Sequence, residues 1–296
     1  MKEAIKTIHF KGKDIRYACY FHDKGEHMEL KGQPLPGNTL KVRLTLMLIH
    51  GFPESGDIFK AQIAALSTLY NLIVPDLPGS GASPYNPALQ TTADFADSIQ
   101  AIIIEEKIEK LVVIGHSMGG YIALAFGEKY PERLLGLGLL HSTAYQDNEA
   151  KKQNRLKAIE TMQRYGGANF LKSMIPALFS ANYKEKHAQV VQDLINTGSH
   201  FETRALQQYY QMMHDRIDKT DLFSKLTIPY LLISGTEDKA APAGDLIQQA
   251  TLIDTVMVEI LSDAGHMGFI EKPEEVSKII HQFMQLVQTL QVSEAL

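Results

Sequence analysis

Three residue types able to share one reaction stand at separate points of this chain: a serine, an acid and a histidine. Ser117 lies in Gly115-His116-Ser117-Met118-Gly119, with Gly120 behind it, between the apolar run "LVVI" and the helical pattern "GGYIALAFGEKY". A serine in a tight strand-to-helix turn is forced toward a strained backbone, so its neighbours must lack bulk. Its hydroxyl then stands clear at the C-terminal edge of a sheet. The helix that follows points its N-terminal N–H groups and positive dipole end at the same spot. Five residues alone are a weak signal, because Gly and Ser are common; the strand before and the helix after strengthen it. A hydroxyl attacks only when a base takes its proton, and histidine is the usual base near neutral pH. His266, in "LSDAGHMGFIEKPEEV", follows the last strand pattern. A third group must fix the imidazole tautomer and stabilise its charged form. Asp238, in "LLISGTEDKAAP", lies just beyond another strand, with Glu237 and Asp263 as rival acids. The strand before these ends in His141 and Ser142, which offer no acid.

Acyl chemistry also needs donors for a developing oxyanion. The segment "LIHGFPESG", 48–56, supplies a loop at a further strand end, where the backbone N–H of Phe52 could pair with that of Met118. His50 reads as a histidine bracing this turn, and His116 as one that shapes the serine turn rather than reacts.

Placing these groups together requires a set of strands whose C-terminal ends share one edge. Residues 5–10 and 14–21 alternate as a hairpin around "KGKD". Continuous apolar runs at 44–51, 71–76, 111–115, 134–142, 228–235 and 255–261 read as buried strands. Helical patterns occupy 58–69 and 92–107, the second opening on Thr92 as N-cap with Asp94 in its first turn, and a last amphipathic helix starts near Pro273. Strands alternating with helices imply a largely parallel sheet covered on both faces. Residues 143–222 break the alternation with helical patterns alone, such as "NRLKAIETMQRY" and "TRALQQYYQMMHDRI", so they read as an insertion. Residues 22–41, polar and rich in Gly and Pro, read as a long surface loop.

Bulk properties narrow the function. The chain has 296 residues, 45% hydrophobic and 21% charged, an ordinary globular composition. A net charge of −5, spread along the chain, offers no basic surface for nucleic acid. The single cysteine, Cys19, reads as a small core residue. With no signal-peptide pattern and no apolar run near the ~20 residues of a bilayer span, the expectation is a cytoplasmic protein without membrane insertion. The histidines lack a metal-ligand spacing such as H-E-x-x-H, and "PDLPGSGAS" lacks the Lys-Ser/Thr of a phosphate loop. Neither a metal nor a cofactor is expected, and the partner is a small-molecule substrate.

"HGFPES", "DLPGSG", "GHSMGG", "GTEDKAAP" and "AGHMGFIEKPEEV" occur here in the order found in α/β-hydrolase-fold proteins, and the chain resembles that family over nearly its whole length. The order Ser, acid, His is itself diagnostic among serine hydrolases. The resemblance implies an α/β-hydrolase fold with a mostly parallel eight-stranded sheet, a core of residues 1–142 and 223–296, and residues 143–222 as a helical cap. It implies catalysis by Ser117, Asp238 and His266, with Phe52 and Met118 N–H as the oxyanion hole. "HGFPES" is similar to epoxide hydrolases, but those enzymes carry aspartate where this chain has Ser117. What remains is a small, mostly apolar carboxylic ester or related acyl substrate cleaved through an acyl-enzyme. Cap residues Tyr165, Tyr209, Tyr210 and Met213 are the expected substrate contacts. A proline-iminopeptidase-like activity would need an acid such as Glu160, Glu185, Glu202 or Asp215 to bind an amine. Cleavage of activated C–C bonds on the same three residues, and a small-molecule receptor with slow turnover, stay open.

Overall fold

The computed structural model describes residues 1–22 and 43–294. Its strands, in chain order, are β1 (Lys2–Phe10), β2 (Lys13–Phe21), β3 (Thr45–Ile49), β4 (Asn71–Pro75), β5 (Leu111–His116), β6 (Leu134–Leu140), β7 (Tyr230–Gly235) and β8 (Val256–Leu261). They form one eight-stranded sheet in the order β1-β2-β4-β3-β5-β6-β7-β8. The first two strands join antiparallel, β1 to β2 and β2 to β4, and every later pairing is parallel. The unbroken apolar runs explain the centre: β3, β5, β6 and β7 are buried along their whole length, as strands covered on both faces must be.

The covering helices are α1 (Lys60–Leu66), α2 (Thr92–Glu105), α3 (Met118–Lys129) and a final helix, Pro273–Glu294, longer than the sequence pattern alone suggests. The final helix buries Val276, Ile280, Phe283 and Val287 at helical spacing. At the start of α2 the cap is Thr91, one residue earlier than expected. Its side chain accepts from the Asp94 N–H while Asp94 accepts from the Thr91 N–H, a reciprocal capping box that Thr92 is placed too late to make. Cys19 is buried in β2, and that burial pushes its thiol up to about 12, which keeps it unreactive.

Between β6 and β7 the described residues form no strand. They fold into α4 (Glu149–Tyr165), α5 (Gly167–Met174), α6 (Ala181–Lys186), α7 (Ala188–Gly198) and α8 (Thr203–Asp215). Helix α8 buries Leu206, Tyr209, Met212 and Met213 on one face, whereas α4 buries only Ala158 and Met162. The expected loop over 22–41 lies outside the described residues, apart from residue 22. Among the described residues no helix is long and apolar enough to cross a membrane.

One feature of the strand order positions the site. From β3 the chain moves outward to β4, then crosses back to β5 on the other side of β3. The loops leaving β3 and β5 therefore diverge, and the crevice they open at the C-terminal strand ends is where open α/β sheets bind ligands.

Candidate active site

Ser117 sits between β5 and α3 with φ 49° and ψ −115°, a left-handed conformation that costs a non-glycine residue about 1–3 kcal/mol. The turn holds it there by close packing. A Cβ at Gly115 would lie 2.2 Å from the Gly119 carbonyl oxygen, and one at Gly119 would lie 2.3 Å from that of Ile49 in β3. The Ser117 N–H donates to Leu140 O at 2.9 Å, and its carbonyl accepts from the Ser142 hydroxyl at 2.7 Å.

Asp238 follows β7 in a tight turn whose backbone closes on its own side chain. Oδ1 accepts the N–H groups of Ala240 and Ala241, both at 2.9 Å. His266, on the loop after β8, donates Nδ1–H to the same carboxylate at 3.0 Å from each oxygen. Neither rival acid takes this place. Glu237 is exposed and accepts from the Ala181 N–H, and Asp263 donates its backbone N–H to the Thr236 hydroxyl. The His266 backbone N–H reaches Leu178 O at 2.7 Å, which ties this loop to the helical segment.

A second imidazole on Asp238 has no counterpart in the sequence reading, where His141 counted only as the absence of an acid. His141 is fully buried at φ 50°, and its Nδ1–H donates to Asp238 Oδ2 at 2.9 Å. Among the described residues its Nε2 has no hydrogen-bond partner, and a Cβ at Gly268 would lie 2.4 Å from it. The two histidines diverge electrostatically. Burial, against which the Asp238 contact is too weak, lowers His141 to about 4, so it stays neutral. For His266 burial also opposes charge, but the attraction and hydrogen bonds of Asp238 outweigh it and raise its pKa. Asp238 is buried, which disfavours its charge, yet the His266 and His141 contacts hold it well below the usual carboxylate range. The signal for His141 was available: a histidine ending a strand beside the one that delivers Asp238.

Ligand atoms of His141, Asp238 and His266 all lie within 4.8 Å of one another, a spacing that an ion could bridge. Both imidazole Nδ1 atoms, however, sit at hydrogen-bond distance from the carboxylate and so carry the protons that bind it. The three groups are thus spent on hydrogen bonds to one another, which fits metal ligation poorly.

His50 and His116 brace the loops. His50 donates Nδ1–H to Gly51 O at 2.8 Å and accepts the Leu77 N–H at 3.0 Å, the pattern of a neutral, structural ring. His116 Nδ1 lies 3.0 Å from Glu54 Oε2 and its Nε2 lies 3.1 Å from His266 O, so it links the β3, β5 and β8 loops. Glu54 Oε2 also accepts the Gly51 N–H at 2.8 Å. The loop so fixed contains Phe52, and α3 begins at Met118. Among the described residues, neither of those two N–H groups is spent on another group of the protein.

Ser117 and His266 open into one cavity of about 360 Å³, bounded by the sheet-edge loops on one side and by the helical segment on the other. Phe52, Phe170, Met174, Leu178 and Met213 give it apolar walls, and Tyr210 and Tyr121 add aromatic ones. Two expected contacts, Tyr210 and Met213, do line it; two do not. Tyr165 is 60% exposed at the end of α4, because the helix turns that position outward. Tyr209 is fully buried with its hydroxyl 2.8 Å from both Ser80 Oγ and Pro78 O, so it fastens α8 to the core. The cavity is also less apolar than expected, since Lys151, Asn154 and Arg155 of α4 face it. Glu160, Glu185, Glu202 and Asp215 are not among its lining residues.

The family model described as alpha/beta hydrolase fold matches residues 45–273. "Lipase 3" of Moraxella sp. (strain TA144) is 27% identical over 78% of this chain and 74% of its own length. Mouse "Protein ABHD8" is 25% identical over 81% of this chain, which spans only 55% of that relative. Among solved structures, a thermophilic esterase from Thermogutta terrifontis superposes with a TM-score of 0.82 at 28% identity, covering 97% of this chain and 100% of the esterase. The enol-lactonase from Burkholderia xenovorans LB400 superposes at 0.80 with 19% identity, over 95% of this chain and 100% of its own, a likeness of fold alone. With this match over most of its length, the chain belongs to the alpha/beta hydrolase fold family.

Proposed function

We propose that this hydrolase cleaves small carboxylic esters through an acyl-enzyme on Ser117, with residues 143–222 acting as the cap over the site. The observation that carries the reading is the convergence of a strained, cavity-facing Ser117 with a cavity-facing His266 whose other ring nitrogen is held by Asp238. The lipase and esterase names of its relatives agree with it.

In the proposed reaction the Ser117 hydroxyl oxygen attacks the ester carbonyl carbon and its proton passes to His266 Nε2. The carbonyl π pair moves onto oxygen, and the N–H groups of Phe52 and Met118 receive that oxyanion; each such donor is worth roughly 10²–10³ in rate. The intermediate collapses, the C–O bond to the alcohol breaks, and His266 returns the proton to the leaving oxygen. Water then attacks the acyl-enzyme while His266 takes its proton, and the acid departs as Ser117 recovers its hydrogen. Asp238, held ionised, stabilises the imidazolium at each proton transfer. His141 acts as a positioning residue: its neutral Nδ1–H fixes one carboxylate oxygen so that Asp238 cannot rotate away from His266.

The aminopeptidase reading loses support because the lining residues include no carboxylate to bind an amine. Hydrolysis of 4-nitrophenyl acetate and butyrate by wild type and Ser117→Ala tests the reading. Turnover by wild type that the variant lacks is the expected result, and equal turnover by both would refute it.

A further inference from the structure

One face of α4 carries Lys151, Asn154, Arg155 and Ala158, the i, i+3, i+4, i+7 spacing that puts side chains on one side of a helix. All four line the cavity that Ser117 enters. On an inserted helix packed over a sheet, such a face is usually the apolar one. Here it is cationic.

The charges around it do not cancel. Asp147, with its side chain 1% exposed, is shared by two guanidiniums: Arg155 pairs through Nε, and Arg216 Nη2 donates at 2.8 Å. Arg216 is committed elsewhere, since its Nη1 donates to Met213 O at 2.8 Å and its plane lies 4.0 Å over the Tyr121 ring. Arg155 is held differently. Its Nε anchors it to Asp147, its guanidinium lies 5.5 Å from the Tyr210 ring centroid, and Tyr210 also lines the cavity. Among the described residues, its two terminal nitrogens donate to no other group of the protein. The Lys151 ammonium donates to Ala240 O at 3.1 Å, in the Asp238 turn. Asp147 therefore offsets two guanidiniums at once, Lys151 adds a further cation, and no Asp or Glu stands among the cavity's lining residues. A guanidinium held with its terminal edge free is preorganised for bidentate recognition of a planar oxyanion.

We propose that the natural substrate is a small ester or lactone bearing a second, free carboxylate, which docks on Arg155 with Lys151 beside it while the ester carbonyl lies at Ser117. This deepens the ester-hydrolase reading and rests on it. The apolar walls then hold the short carbon chain between the two ends.

Two pairs of esters differing only in that charge test it: mono-4-nitrophenyl glutarate against its methyl ester, and 4-carboxyphenyl acetate against its methyl ester. Wild type should prefer the anion in at least one pair, with a ratio of kcat/KM near tenfold or more. Arg155→Gln should bring that ratio down by about 10- to 100-fold, the worth of a charge-assisted hydrogen bond, mainly through KM. Lys151→Gln, which leaves the buried Asp147 pairs intact and so is less able to disturb folding, should lower it by a few-fold, and Arg155→Lys should recover part of it. Turnover of all four esters with no anion preference, or a preference that neither Arg155→Gln nor Lys151→Gln alters, would overturn the proposal. Turnover of none, the neutral esters included, would sink the hydrolase reading and this inference with it.

Discussion

On the sheet side of the cavity, the Asp238 carboxylate is gripped by two backbone N–H groups and two imidazoles. On the helical side, Arg155 is anchored at a single nitrogen and lines the cavity, its terminal nitrogens bonded to no other group among the described residues. The sheet-side groups are buried, mutually bonded and set by loops that glycines let pack within about 2–3 Å of a would-be Cβ. Such a wall can hold a reaction geometry to a fraction of an ångström, which catalysis needs. The helical wall is a set of side chains projecting from α4, α5 and α8, not backbone loops closed on one another. The difference teaches that reaction and selectivity are separable here: changes on the sheet side should strike kcat, and changes on the helical side should strike KM.

The largest effect that separates the walls is expected at the nucleophile. Ser117→Ala should lose on the order of 10⁴ or more in kcat for a neutral aryl ester, measured against background hydrolysis, with an unchanged circular dichroism spectrum. Asp238→Asn should cost up to ~10⁴ in kcat, whereas Glu237→Gln should change it by no more than a few-fold. The reverse ranking would reassign the acid.

His141 sharpens the comparison, because it is remote from substrate yet belongs to the rigid wall. His141→Leu should lower kcat by roughly 10-fold with little change in KM, the loss of one buried hydrogen bond to a charge. It should also move the pH profile. His266 works as a base only when neutral, so kcat/KM must fall as pH drops through its pKa, which the Asp238 carboxylate raises above the ordinary imidazole value. Removing the His141 N–H leaves more of the Asp238 charge to attract the His266 proton. The acidic limb should therefore shift to higher pH in His141→Leu, a change that loosened packing alone would not produce.

On the helical wall, Met213→Ala should raise KM several-fold while kcat holds within about threefold, because it removes an apolar wall of the cavity; it also trims the buried face of α8, so denaturant unfolding should come earlier. Tyr165→Ala, at an exposed position, should alter neither. The smallest effect is on stability: Thr91→Ala removes the side-chain half of the α2 capping box and should cost about 1 kcal/mol in denaturant unfolding.

The same contrast governs what the sequence reveals. Buried parallel strands are unbroken apolar runs, so the sheet and the loops at its edge could be read directly from "LTLMLI", "LVVIG" and "LLISG". That Ser117, Asp238 and His266 meet at one sheet edge was legible because a tight turn and a strand end restrict which residues can stand there. His141 carries only a faint signal in the sequence, a histidine at a strand end, and takes its meaning from its spatial neighbour Asp238 beyond the adjacent strand. Tyr165 and Tyr209 were chosen for residue type, but on a helix about 100° of rotation per residue decides whether a tyrosine faces a cavity, solvent or core. The Lys151 and Arg155 face reads as ordinary solvated charge until the packing of α4 over the cavity is known.

The central claim is that Ser117 is an activated nucleophile, and labelling tests it most directly. Wild type and Ser117→Ala would be treated with a small fluorophosphonate and weighed by intact-mass spectrometry. A single phosphonyl adduct on wild type, absent from Ser117→Ala, is the expected result. An equal adduct on the alanine variant, or none on folded wild type at millimolar reagent, would contradict it.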